Sequence, residues 1–203
     1  MNSGGWGKAE WRGYFRGVLR GMSEEERAAE SAAIVEAVVA SVAWRRARRV
    51  MLYAPMAEEV DLLALMDCPG RPELVFPKVS GDGETMRAHR VEGVADLVLN
   101  GSRFREPDAA RCPVVDPGGI DLVLVPGLGF GRDGSRLGRG RGYYDRFLGG
   151  EAAGAMGVGV AFGCQVVEAL PVEPHDVRMG ALAVAGGWEG RSGGLDSGSV
   201  NEI

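Results

Sequence analysis

The chain has 203 residues and carries 23 lysines and arginines against 28 aspartates and glutamates, a net charge of −5 with a pI near 5.2. That acidic balance excludes a general nucleic-acid binder, which needs a basic surface, and no apolar run approaches the length of a membrane span. Hydrophobic and charged fractions of 45% and 25% suit a globular protein with one sizeable core, whereas 33 glycines are about twice the usual share.

Cys68, Cys112 and Cys164 stand too far apart for a Cys-x-x-Cys motif and read as free thiols. The opening M-N-S-G-G-W-G-K has no secretory pattern. A cytoplasmic monomer with no membrane or nucleic-acid partner is expected.

In chain order, Trp11, Tyr14, Phe15, Val18, Leu19 and Met22 fall at helical spacing, which predicts an amphipathic helix over about 8–22 with Lys8 and Arg12 on one face. Ser23 and Glu26 form a capping box that opens a second helix, carried by Ile34, Val35, Val38, Val39 and Val42 to about residue 43. The basic run at 45, 46, 48 and 49 matches the negative end of its dipole. Val50–Pro55 suits a parallel strand. Glu58, Glu59 and Asp61 then lead into a short helix, Leu62–Met66. They read either as charges at that helix N-terminus or as ligand contacts at a strand's carboxyl end.

Leu74–Val79 and Met86–Val91 read as strands around a turn at Ser80–Glu84. Val94–Leu99 reads as a short helix or turn and Arg103–Pro117 as irregular. Ile120–Val125 is the most apolar strand, a helix follows from about Gly142 to Leu148, and Met156–Phe162 and Val177–Val184 complete the sheet, with a short helix at Val166–Ala169. Residues 1–185 are expected to form one α/β domain and 186–203 a disordered Gly/Ser-rich tail. The alternation predicts a three-layer α/β sandwich with a largely parallel central sheet, Rossmann-like without being the dinucleotide-binding type.

Between Pro126 and Phe147 lie seven glycines and five arginines, between a strand and a helix start. Glycines admit close backbone approach and arginines are fixed, planar phosphate donors, so the stretch reads as a polyphosphate cradle. Gly129-Phe-Gly131-Arg-Asp-Gly134 matches G-x-G-x-x-G, but no helix opens within it, so the dinucleotide reading fails. A Walker loop is absent too, because Ser-Arg follows Gly134. A bland glycine-rich hairpin does not require the remainder, Arg136-Leu-Gly-Arg-Gly-Arg-Gly-Tyr-Tyr-Asp145. Asp145 is either a magnesium-side carboxylate or a helix N-terminal charge.

P-G-L-G-F-x-x-x-G-x-R-L-G-x-G-x-G-Y-Y-D resembles the hallmark of the 5-formyltetrahydrofolate cyclo-ligases, also called methenyltetrahydrofolate synthetases. The likeness extends over roughly residues 8–180, through Tyr53-x-Pro55-x-x-x-Glu59, Phe76-Pro77-Lys78, Glu106-Pro107 and Leu170-Pro-Val-Glu-Pro-His-Asp176. It implies ATP-dependent closure of 5-formyltetrahydrofolate, with or without a polyglutamyl tail, to 5,10-methenyltetrahydrofolate, ADP and phosphate, with Mg²⁺ and a phosphorylated formyl intermediate. For ATP it implies Lys8, Arg12, Arg136, Leu137, Gly138, Arg139, Gly140, Arg141, Gly142, Tyr143 and Tyr144. For the folate it implies Ala54, Glu59 and Tyr144, and for the metal Asp145 and Asp176. His175 reads as structural, and nothing is assigned to His89.

One departure stands out: the family pattern places a second acid four residues after Asp176, where this chain has Gly180. A non-catalytic folate- or nucleotide-binding paralogue is therefore the alternative. A sugar isomerase or transferase on a similar scaffold is a weaker one, for want of a catalytic His, Cys or Glu motif.

Overall fold

Alternating apolar side chains on short strands give this fold two cores, one on each side of a seven-stranded sheet. The computed structural model describes residues 5–99 and 104–191. Helix α1 (Lys8–Gly21) buries Trp11, Phe15 and Leu19 along one stripe. Its start is pinned twice. The Gly7 N–H donates to Glu10 Oε2 at 2.7 Å, and Trp6 packs on Trp11 and Tyr14 with ring centroids 5.1 and 5.6 Å away. This staple fixes the entry of the chain and with it the first-turn side chain, Lys8.

Helix α2 (Glu24–Ala40) carries the capping box at Ser23. It stops three residues before the expected end, because Ser41 is extended (ψ 147°) and caps a separate helix, α3 (Val42–Arg46). The apolar stripe runs through the break, which hides it in the sequence.

The strands are β1 (Arg49–Met51), β2 (Glu73–Val79), β3 (Met86–Arg90), β4 (Leu97–Leu99), β5 (Arg105–Pro107), β6 (Leu122–Val125), β7 (Gly129–Gly131), β8 (Arg136–Leu137), β9 (Met156–Val160), β10 (Val166–Val167), β11 (Ala181–Val184) and β12 (Gly187–Gly190), with helix α4 (Tyr143–Gly149) between β8 and β9. The main sheet runs β12-β11-β9-β6-β1-β2-β3. Its five inner strands are parallel, and β3 and β12 pair antiparallel at the edges. Leu52, Leu74, Phe76, Leu122, Leu124 and Val158 pack with Phe15, Leu19, Ile34 and Val38 of α1 and α2. Met51, Val75, Val123 and Val125 pack with Phe147 and Leu148 of α4 on the other face. These are the three layers expected. No helix among the described residues is long and apolar enough to cross a membrane.

Elsewhere local readings miss strands of two or three residues, too short to show an apolar pattern and defined only by their pairing. Val94–Leu99 becomes a 3₁₀ turn followed by β4, and β5 pairs with β4 inside the stretch read as irregular. Val166–Val167 is strand β10, drawn alongside β7, and no helix forms there. The expected tail boundary at 186 falls too early: β12 pairs with β11, and Trp188 packs against the core. Glycines at 186, 187 and 190 disguise that strand. Residues 192–203 lie outside the described residues.

Among the parallel strands the order is β2-β1-β6-β9-β11. The chain winds one way from β1 to β2 and the other way from β6 to β9. The crevice at the carboxyl ends of β1 and β6 is thus a topological switch point, where open α/β sheets bind ligands.

Candidate active site

A cleft of about 1210 Å³ opens at that switch point, and all fifteen candidate residues line it. Ala54 and Glu59 come from the segment after β1; Arg136 and Leu137 form β8; Gly138–Gly142 are the loop after it; Tyr143, Tyr144 and Asp145 open α4. Lys8 and Arg12 reach in from α1, and Asp176 from the segment before β11.

The long glycine stretch divides into two parts with different jobs. Gly127, Gly129 and Gly131 give way to neighbours: an added Cβ would lie 2.7 Å from Phe130, 2.1 Å from Phe15 and 2.2 Å from Ser135, respectively. Gly140 (φ 104°) and Gly142 (φ 67°) instead give the loop a backbone that other residues rarely adopt, with Gly142 as the N-cap of α4. A loop shaped by such residues can turn its N–H groups toward an anion.

Arg136 is 7% exposed. Its Nη2 donates to Asp145 Oδ2 at 2.7 Å, its Nη1 donates to the Pro126 carbonyl at 3.3 Å, and its guanidinium lies 5.7 Å from the centre of the Tyr144 ring. Asp145 Oδ1 accepts from the Val177 N–H at 3.2 Å. Arg12 Nε donates to the Gly138 carbonyl at 3.1 Å, which ties α1 to the loop. Arg141 stands exposed at the rim with no partner among the described residues. Two side-chain atoms, Arg136 Nε and Ser80 Oγ, are buried without a hydrogen-bond partner among the described residues, and both belong to cleft residues. Buried polar groups left in this way are uncommon, and a ligand is one way to satisfy them.

At the α1 end, Lys8 Nζ donates to Asp176 Oδ2 at 2.6 Å and to Glu173 Oε2 at 3.0 Å. Burial works against Asp176 ionising, but Lys8 and the Glu173 N–H together hold its carboxyl below the ordinary range. Burial likewise opposes the Lys8 ammonium, which the two acids nonetheless raise. Ligand atoms of Glu173, His175 and Asp176 lie within 4.8 Å of one another. The carboxylate oxygens of Glu173 and Asp176 suit a hard divalent cation shared with phosphate oxygens, whereas His175 offers a ring nitrogen.

On the opposite wall, Glu59 has only 8% of its side chain exposed. Burial pushes its carboxyl up, while the Met56 N–H (3.1 Å) and Arg139 (3.3 Å) pull it back. Burial also pushes the phenols of Tyr53 and Tyr144 upward, and the nearby Glu59 adds to both. The two loop tyrosines part company. Tyr144 sits inside beside Glu59, while the Tyr143 O–H donates to the Gly83 carbonyl at 2.8 Å, fastening the β2–β3 turn to α4.

Sequence reasoning passed over Glu173, which lies inside the quoted 170–176 motif but looked no different from a surface acid. It also passed over Met86 and Phe104, which line the cleft from β3 and from the segment before β5, respectively. Their partners are remote in sequence, so no spacing could reveal them. Gly180 lies at the exposed approach to β11, its N–H on the Gly157 carbonyl at 2.8 Å, and is not a cleft residue. The departure at that position leaves the cleft wall intact.

The profile of the 5-formyltetrahydrofolate cyclo-ligase family matches residues 6–185. The 5-formyltetrahydrofolate cyclo-ligase of Mus musculus is 30% identical over 172 residues, covering 79% of this chain and 85% of that one. Its namesake from Mycolicibacterium smegmatis is 34% identical over 137 residues, covering 65% and 71%. The solved 5,10-methenyltetrahydrofolate synthetase of Aquifex aeolicus superposes with a TM-score of 0.80 at 31% identity, covering 96% of this chain and 99% of that one.

Proposed function

The chain belongs to the 5-formyltetrahydrofolate cyclo-ligase family, and from that premise we propose that the cleft closes 5-formyltetrahydrofolate to 5,10-methenyltetrahydrofolate at the expense of ATP. The observation that carries this reading is the convergence of two unlike walls in one cleft. Lys8, Arg12, Arg141 and the 138–142 loop form a cationic, amide-rich wall, and Ala54, Glu59 and Tyr144 form an apolar wall with one buried carboxylate.

The division matches the chemistry. The formyl oxygen is a weak nucleophile that attacks the γ-phosphorus of ATP, releasing ADP. The oxygen, now esterified to phosphate, leaves as inorganic phosphate when the second folate nitrogen attacks the formyl carbon and gives up its proton. Phosphoryl transfer needs positioning and charge neutralisation more than a strong base. Lys8 and Arg12 supply positive charge from the α1 side, and Arg141 and the loop amides from the other. Arg136 stands behind the loop, setting Asp145 and Tyr144 in place while its field acts on the phosphates. Glu59 accepts ring N–H donors of the pterin, and Tyr144 packs alongside.

Asp145 and Asp176 are the carboxylates that would hold magnesium; when bound, the ion neutralises phosphate charge and orients its oxygens. Buffered protein with ATP, magnesium and 5-formyltetrahydrofolate is expected to produce methenyltetrahydrofolate absorbance, with no signal when ATP is omitted. Protein that binds both ligands yet never turns over would instead be the non-catalytic paralogue.

A further inference from the structure

Arg139 stands on the nucleotide-side loop, yet its guanidinium is spent on the folate-side wall. Nε donates to Glu59 Oε1 at 3.3 Å, and Nη2 lies 3.8 Å from Glu58 Oε2. The residues are 80 positions apart in sequence and meet only inside the cleft. Glu59 Oε2 accepts the Met56 N–H, and Arg139 lies on the other oxygen. While the pair holds, Arg139 competes with an incoming N–H donor for Glu59, and its guanidinium is engaged by carboxylates in place of a phosphate.

We propose that the Arg139–Glu59 ion pair couples the two half-sites, being broken by whichever substrate binds first and so favouring the second. This rests on the functional reading above, with phosphates on the loop and the pterin on Glu59. Phosphates drawing Arg139 across relieve that competition at Glu59; a pterin satisfying Glu59 releases Arg139 toward the phosphates. Each ligand alone must break the same pair, whereas together they break it once, and a shared cost of this kind is positive cooperativity. Thermodynamic linkage makes the effect reciprocal, so each ligand tightens the other by the same factor. Arg139 is in this account a coupling residue, with two alternative partners that the two sites bias in one direction.

The test is titration calorimetry with 5-formyltetrahydrofolate and with β,γ-methylene ATP plus magnesium, each alone and each in the presence of the other. For the wild type, each Kd is expected to fall about fivefold when the other ligand is present, the lower end of ordinary coupling. In Arg139→Gln, which circular dichroism should show folded because the side chain lies on an exposed loop, that ratio should fall to about one. Arg139→Lys keeps the charge without the fork and should fall between. A ratio of one in the wild type, or an unchanged ratio in Arg139→Gln, overturns the coupling while leaving the functional reading intact. Failure of the wild type to bind either ligand overturns the functional reading, and the coupling with it.

Discussion

Arg136 serves the site through what it holds. Nearly wholly buried, it has Asp145 and the Pro126 carbonyl as partners and the Tyr144 ring close by. Arg136→Ala would leave the Asp145 carboxylate, 14% exposed, without its cation. Breaking such a buried pair costs about 3–5 kcal/mol of stability. Under the proposed function, loss of its positive field at the phosphates should lower kcat/KM by about 10²–10³-fold. Thermal melts and steady-state kinetics on Arg136→Ala and Arg136→Lys check both; an intact melting temperature would mean that Asp145 finds another partner. Lys8 and Asp176 make a pH prediction. The Asp176 pKa is depressed in the fold, so its contribution is present above the ordinary carboxylate range and lost as pH falls through the lower, folded value. The Lys8 pKa is raised, so its contribution is complete below the ordinary lysine range and lost as pH rises through the higher, folded value. The stability gap between wild type and Lys8→Met should therefore be flat from about pH 5 to 10 and close at both extremes. Denaturant midpoints across pH measure it; a gap that persists in strong acid would remove the ion pair as its cause.

At the scale of elements, the glycine stretch separates close packing from loop shape. Gly129 in β7 faces Phe15 of α1, and an added methyl would lie 2.1 Å from its ring. Gly129→Ala should thus destabilise by about 1–3 kcal/mol through overpacking, with little change in the KM for ATP of the folded fraction. Gly140 has room, its nearest neighbour being Arg12 at 3.8 Å, but its φ of 104° strains any other residue. Gly140→Ala should melt near the wild type and raise the KM for ATP by about tenfold, strain of about 1.4 kcal/mol being relieved by reshaping the loop. Melting curves and ATP kinetics on the two variants separate the roles; equal losses of stability would refute the division. The glycines announced a special backbone in the sequence, but not which of them fit under Phe15 and Phe130 and which shape the cradle. Helix α1 and the inner strands were legible because apolar periodicity is local. β5 and β10 were not, because each exists only by pairing with a strand elsewhere, and the α2–α3 break was masked by an uninterrupted apolar stripe.

For the whole molecule, the sheet order decides what the residues can become. Strand winding reverses between β1 and β6, and that reversal brings together Glu59, Arg136 and Asp176, which the sequence scatters over more than a hundred positions. Their chemical types were legible in the chain. Their meeting was legible only by resemblance, and the pairings of Arg139 with Glu59 and of Lys8 with Glu173 were not legible at all. The same sheet makes β12 a structural strand even though it lies within a glycine-rich stretch. It covers the edge of β11 through four residue pairs, packs Trp188 on the core and pairs Glu189 with Arg132. A chain ended after Ala185 would expose a row of unpaired N–H and C=O groups on β11 and lose the partial burial of a tryptophan, worth about 2 kcal/mol. For a protein of this size the melting temperature should fall by about 4–8 °C, and the open edge should promote association visible by size-exclusion chromatography. The cleft lies at β1 and β6, with β9 and β11 between it and β12, and none of its lining residues follows Asp176, so turnover per folded molecule should persist. A truncated chain that melts with the full-length protein and stays dispersed would show that β12 adds nothing to the sheet. One that is folded but inactive would show that the far edge helps hold the Asp176 segment in register with the loop.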